Sequence, residues 1–329
     1  MAQLIPVQYE NLKYPENIIP SVGEISVKFR NSTNDIKNSI RKMKERDVRY
    51  FSLHTQEPYT GDKNVKKSIN KNPSSVVVKD NLVNIRGSPT NLWSSREWID
   101  DFIIFLKRVS ESFDDENSVR VIELHTPRNK KYINSIDTFM DKLKSFYDVM
   151  SPVFPKAEFV VENSNGSGFL LSSVKEINEF SDKIDELRKE NFKIGIALDI
   201  PQLLYATKLR CSGASREDIE NLFKSLEKSK HNVKSIHLWG GKGKGDFGGH
   251  HIGDLNTLFD HGNLSANPEE RENVKRLKAS FLKGISSILS DENKRYFVPE
   301  LNSGEDGALK SIISDLEEIG VKFDYSPPY

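Results

Sequence analysis

Short apolar runs rich in β-branched and aromatic residues alternate along the chain with segments whose apolar positions recur at three and four. Eight runs read as strands: EISVKF (24–29), VRYFSLH (48–54), VRVIELH (119–125), AEFVVE (157–162), KIGIALD (193–199), VKSIHLW (233–239), RYFVPE (295–300) and VKFDYS (321–326). Near-continuous apolar runs of this kind suit parallel strands covered on both faces. Between them, Ile36, Ile40 and Met43 fall on one helical face, as do Ile177, Phe180, Ile184 and Leu187. Ser173 followed by Glu176 is a capping-box pattern, and Ser215 with Asp218 is a weaker relative of it. Regular alternation excludes all-α and all-β folds and predicts an α/β protein, a single (β/α)8 TIM barrel spanning residues 1–329.

Two segments break the repeat. After the second predicted strand, residues 56–94 form a loop and hairpin insertion carrying Lys63, Lys66, Lys67 and Lys71, then SVVVKDNLVNIRG turning at Asp80-Asn81. After His237 comes GGKGKGDFGG, then His250 and His251. That run lacks the spacing and final Ser or Thr of a P-loop, so it reads as a flexible lid and not as a nucleotide cradle. With strand eight placed at 321–326, no sequence remains for a final helix, and residues 1–20 read as an N-terminal extension covering a barrel end.

Composition changes this picture little. Forty-eight basic and 48 acidic residues give no net charge, which leaves the class of partner open. No apolar run reaches the roughly 20 residues a membrane span needs, and the opening segment lacks a signal-peptide core, so a cytoplasmic protein without membrane contact is expected. Cys211 stands alone in polar sequence, which excludes an intramolecular disulfide and gives no sign of a catalytic thiol.

Chemistry enters at the strand ends. His54, His125, Glu162, Asp199, His237 and Glu300 each close an apolar run. A parallel barrel gathers such positions at one mouth. Carboxylates there are costly to hold unpaired, and Glu162, Asp199 and Glu300 with His237 make a divalent cation the simplest counter-charge. His54 and His125 end consecutive strands and can meet on a second ion. Arg128, Lys130, Lys131, Lys242 and Lys244 follow strand ends on the same side and suit phosphate contacts without base reading. Trp239, Trp93 and Tyr59 lie where a ring can stack on a base or sugar, whereas Trp98 shares a helical face with Phe102 and Phe105. His231 and His261 sit in loop-like sequence away from the strand ends and read as structural.

Together with ENSNGSG (162–168), LDIPQLLYA (198–206), SIHLWGGKG (235–243), HHIGD (250–254) and PELN (299–302), the strand-end set resembles the xylose isomerase-like TIM-barrel superfamily. Within it the resemblance is nearest to apurinic/apyrimidinic endonucleases of the endonuclease IV type, and it runs from about strand one to strand eight. It implies His54, His125 and Glu162 around one metal, with Glu162 bridging to a second held by Asp199, His237 and Glu300. The family's third metal uses a His where this chain has Gln202, and an Asp-x-His pair where it has Gly248 before His250 or Gly249 before His251. Two metals instead of three are therefore expected, zinc first and manganese as the other fit, since mixed imidazole and carboxylate donors suit both.

The function implied is a metal-dependent phosphodiesterase or endonuclease acting on DNA, damaged or abasic, with Glu162 and either His250 or His251 in catalysis. Gln202, Trp239, Lys242, Lys244 and Arg128 are the candidate substrate-binding residues. Two other classes remain open: a mono-metal sugar isomerase or epimerase using Glu162 and Glu300, and a non-catalytic nucleic-acid-binding barrel. No protein partner is inferable.

Overall fold

The computed structural model describes residues 3–9, 11–28, 31–55, 93, 96–127, 133–166, 169–209, 214–241, 251–260 and 268–324. Eight parallel strands close on themselves: β1 (Gln3–Gln8), β2 (Val22–Ser26), β3 (Tyr50–His54), β4 (Val119–His125), β5 (Glu158–Glu162), β6 (Ile194–Asp199), β7 (Val233–His237) and β8 (Lys294–Val298). Closure runs through β1, which pairs at Gln3–Pro6 with Lys294–Phe297 and at Val7–Gln8 with Val22–Gly23. A short β9 (Lys322–Phe323) joins the first half of β1 at Gln3 and Leu4, where β2 does not reach. The barrel is thus a (β/α)8 TIM barrel.

Six of the eight expected strands, those from β3 to β8, and the start of β2 match to within about two residues. The remaining assignment is corrected. The stretch expected to cover a barrel end contains β1, whose Leu4, Ile5 and Val7 are buried, and the expected eighth strand is, among its described residues 321–324, the two-residue β9. Counted from β1, the insertion beginning at residue 56 follows the third strand. Apart from Trp93, that insertion and its hairpin lie outside the described residues.

The outer layer consists of α1 (Thr33–Lys44), α2 (Arg96–Ser110), α3 (Ile136–Met150), α4 (Val174–Leu187), α5 (Ile200–Ala206), α6 (Arg216–Leu226), α7 (Pro268–Ile288) and α8 (Asp306–Glu318). The last of these is the closing helix that the sequence reading lacked. Ile36, Ile40 and Met43 are the buried face of α1, and Ile177, Phe180 and Ile184 that of α4. Ser215 and Asp218 form a complete reciprocal cap on α6; at α4 the Ser173 side chain accepts from the Glu176 amide while Glu176 turns to Ser172. Each such cap satisfies amides that the first helical turn leaves open. Among the described residues, no helix is long and apolar enough to cross a membrane.

Two apolar regions follow from the period-2 alternation of each strand. One face of the strands packs on the helices. The other fills the barrel with Ile5, Val7, Val22, Val121, Val160, Ala197, Tyr296 and Val298. One step further along the same inward faces stand Glu24, Glu123, Glu162, Asp199 and Glu300, so the apolar plug carries a polar tier at the C-terminal ends of the strands.

Candidate metal centre

Register decides which of these side chains meet. His54 on β3 is the Cα partner of Glu123 on β4, His125 that of Glu162 on β5, and Asp199 that of His237 on β7. Glu300 arrives two residues beyond Val298, the partner of His237. Strand pairing alone therefore brings histidines and carboxylates from six strand ends into one cluster.

His237, fully buried, is its hub. Its Nδ1 lies 3.0 Å from Glu300 Oε1 and 3.7 Å from Glu162 Oε1, and its Nε2 lies 3.0 Å from Glu123 Oε2. His125 Nδ1 stands 2.9 Å from Glu162 Oε2, and the His54 and His125 rings approach with centroids 4.8 Å apart. His54 Nδ1 contacts Glu24 Oε1 at 3.1 Å. Two groups have donor atoms close enough to share an ion: His54, Glu123 and His125, and Glu123, Glu162, His237 and Glu300.

Asp199 is directed differently. As the N-cap of α5 it accepts the Gln202 amide at Oδ1, 2.7 Å, and the Trp239 indole N–H at Oδ2, 2.9 Å. Asn163 clamps its main chain with its side chain: Asn163 Nδ2 donates to the Asp199 carbonyl at 3.0 Å, and the Asp199 N–H donates to Asn163 Oδ1 at 2.8 Å. Gln202 donates Nε2 to Glu162 Oε1 at 2.8 Å, so it fixes a carboxylate of the cluster. The Trp239 ring is 1% exposed and packs beside the His251 ring at 4.8 Å. It is a buried support for Asp199 and His251, with no open face for a base, which corrects its reading as a stacking platform. Trp93, fully buried against Phe102, Phe139 and Phe146, donates its N–H to the His125 carbonyl and is likewise core.

His251 comes to the rim on a backbone with φ +64, uncommon for a residue with a Cβ. Its Nδ1 donates to the Glu300 carbonyl at 2.6 Å, its own carbonyl accepts the Asn302 amide at 2.7 Å, and one-third of its side chain remains exposed. Gly240 underlies this corner: a Cβ there would lie 2.2 Å from the Gly253 carbonyl and 2.3 Å from Thr257 Oγ1, so only glycine lets the β7 loop approach the 253–257 turn. Arg128, Lys242, Lys244 and His250 lie outside the described residues, as do Lys130, Lys131, Tyr59 and His261. His231 pairs with Asp185 at 2.8 Å away from the site.

Glu24 and Glu123 escaped the reading of strand ends. The signal was the alternation itself: Val121, Glu123 and His125 are spaced by two on one strand and must face the same way. Attention to run ends hid a carboxylate inside an apolar run.

Charge balance defines what the site needs. Five buried carboxylates, Glu24, Glu123, Glu162, Asp199 and Glu300, face three buried or nearly buried imidazoles, and among the described residues none of the five pairs with a lysine or arginine. Without another cation the cluster holds protons. Burial, then Glu300 and Glu123, drive the Glu162 carboxyl well above its ordinary range; burial, Glu300 and Glu162 do the same to Asp199. At His54 burial opposes the charged ring, yet Glu24, Glu123 and Glu300 outweigh it and push the imidazole up to about 10. His237 is raised in the same way by Glu123 and Glu300, and Glu300 is in turn held below the usual carboxylate range against its burial, chiefly by His237.

No protein-family model matches the chain, and comparison with curated proteins also finds no match. Solved structures do resemble it. D-allulose 3-epimerase from Methylomonas sp. aligns with a TM-score of 0.50 at 10% identity, over 97% of this chain and 100% of the other. A D-tagatose 3-epimerase-like protein gives 0.49 at 12% identity over 96% and 98%, and an AP endonuclease, family 2, from Brucella melitensis gives 0.47 at 11% over 94% and 97%. At these identities the likeness is one of fold, the (β/α)8 barrel that the sequence predicts.

Proposed function

We propose that this chain is a divalent-metal-dependent phosphodiesterase of the apurinic/apyrimidinic endonuclease type, cleaving DNA phosphodiester bonds with zinc as its resident ion. The observation that carries the reading is the presence of two donor groups at one barrel mouth, His54 with His125 on one side and His237 with Glu300 on the other. An isomerase moving a proton beside one cation has use for the second group only. The residues fit the ions: among the described residues the carboxylates have no lysine or arginine partner, and His54 Nε2 and Glu123 Oε1 are buried without a hydrogen bond. Mixed imidazole and carboxylate donors suit zinc or manganese. Bound divalent cations supply charge that lowers the pKa of water and stabilises a phosphodiester as it is displaced.

The chain's own residues set the geometry. Glu162, held at one oxygen by Gln202 and at the other by His125, keeps a fixed orientation at the mouth. His251, whose Nδ1–H is committed to the Glu300 carbonyl, leaves Nε2 as the acceptor nitrogen of the neutral ring, turned away from that carbonyl and able to take a hydrogen bond or a proton from substrate or water. Lys242, Lys244 and Arg128, in the segments following β7 and β4, supply positive charge for phosphates.

The test is metal content per chain on protein purified without chelator, with cleavage of duplex DNA bearing one abasic site. Two ions with strand cleavage, lost in Glu162→Gln and badly reduced in His54→Ala, is the expected result. One ion, no cleavage and turnover of a ketose would overturn it in favour of a mono-metal sugar isomerase or epimerase.

A further inference from the structure

Distance alone counts Glu123 in both donor groups, but the ring nitrogen it stands against faces away from the strand-end carboxylates. It lies one inward step below His125 on β4 and is 1% exposed. Its Oε2 is 3.0 Å from Nε2 of His237, whereas Glu300 and Glu162 flank the other nitrogen of that ring, Nδ1, at 3.0 and 3.7 Å. The His237 imidazole is thus held between one carboxylate from the tier below the strand ends and two at the mouth.

Glu24 repeats the arrangement at His54. Its Oε1 meets His54 Nδ1 at 3.1 Å, and Nε2 of the same ring is buried with no hydrogen-bond partner among the described residues. Glu24 is itself buried, and the β2–β3 register, Ser26 against His54, puts it one inward step below its histidine. Glu123 Oε1, 3.8 Å from that same Nδ1, adds its charge on the side of the ring that Glu24 already occupies. A carboxylate on one ring nitrogen keeps the ring proton there, fixes the tautomer and leaves the other nitrogen's lone pair for a cation.

We infer that Glu24 and Glu123 are positioning residues and not ligands. Glu24 fixes the proton of His54 on Nδ1 and turns Nε2 to one divalent cation; Glu123 fixes the proton of His237 on Nε2 and turns Nδ1, beside Glu162 and Glu300, to the other. This rests on the metal-centre reading above and goes beyond it by assigning the coordinating nitrogen of each ring, opposite in the two. It also separates two effects. Loss of Glu24 acts first on the ion held by His54, and loss of Glu123 on the ion held by His237.

The experiment uses the full chain with isotope-labelled histidine, titrated with Zn2+, and reads the protonated and the metal-bound nitrogen of each ring from long-range proton–nitrogen NMR, with His54→Gln and His237→Gln assigning the signals. In loaded wild type, His54 is expected to carry its proton on Nδ1 and His237 on Nε2. Calorimetry followed by the same spectra should show the ion that shifts the His54 signals weakened ~10–100-fold in the nearly isosteric Glu24→Gln, and the ion that shifts the His237 signals weakened likewise in Glu123→Gln, the range found for partners of metal-bound histidines. A merely structural glutamate would loosen both ions together. Equal weakening of both ions in either variant, unchanged affinity in either variant, either ring bound through its other nitrogen, or a wild type that takes no Zn2+ would each overturn the inference. Should a variant fail to fold, the wild-type tautomers decide alone. Tautomers as assigned without cleavage of abasic DNA would refute the proposed reaction and leave the inference standing. Cleavage with the opposite tautomers would do the reverse.

Discussion

Removing the metal should make the stability of this protein fall as pH rises, and the structure sets the size of the effect. His54 moves from an ordinary value of 6.5 to about 10 in the folded protein, because Glu24, Glu123 and Glu300 outweigh its burial. A base whose folded pKa is raised contributes stability that is complete below 6.5 and gone above about 10. At 1.36 kcal/mol per unit this one ring contributes on the order of 5 kcal/mol, with a slope of up to about 1.4 kcal/mol per pH unit through the window. Glu162 and Asp199, raised well above their ordinary range, act with the same sign: each binds its proton more tightly folded than unfolded and loses that contribution as it ionises. Glu123 and Glu300 are lowered, so their contribution is lost only in acid, outside this window. Urea unfolding of chelator-treated protein at intervals from pH 6.5 to 10 should show the decline. In protein loaded with Zn2+ or Mn2+ the cations replace the protons, so the gain from metal should widen with pH. Metal-free stability that stayed level or rose across that range would refute the charge balance drawn for the cluster.

Three further outcomes are expected. Asn163→Ala removes both bonds to the Asp199 main chain and leaves a buried N–H without that acceptor, a loss of about 2–4 kcal/mol in urea unfolding; less than half a kcal/mol would mean the β5–β6 clamp carries no stability. Trp239→Phe takes the indole donor from Asp199 Oδ2 and should cost about 1.5–3 kcal/mol, with Asp199 reporting the change as an altered metal affinity in calorimetry. Gly284→Ala, on α7, places a Cβ 2.1 Å from the Phe223 ring of α6 and should cost about 1–3 kcal/mol in thermal unfolding while leaving metal stoichiometry at wild-type level, so an unchanged melting temperature would show that the two helices part freely there.

The barrel was legible because parallel strands buried on both faces write themselves as apolar runs, and β3 to β8 do so plainly. β1 did not, since QLIPVQ is short, interrupted by Pro6 and bounded by polar residues, while of VKFDYS the described residues form a strand at Lys322 and Phe323 alone. β9 lies on the edge of β1 that β2 takes up at Val7 and Gln8, so little of that edge remains for it. The strand-end histidines and acids were likewise visible. Glu24 and Glu123 were visible only through alternation, and the turning of Asp199 toward Trp239 depended on a contact between β6 and the segment after β7 that no local pattern encodes.

The closure at β1 bears on how such a molecule is made. Gln3 finds its partner Lys294 only after the 290 residues between them have been made, and Lys322 later still. Until then the growing sheet has two open edges, and Leu4, Ile5 and Val7 have no β8 to cover them. Pairings this distant in sequence make folding slow and expose strand edges to other chains. Translation thus sets a waiting time on a half-built cylinder, and expression at low temperature or with chaperone present should raise the yield of closed barrel over aggregate.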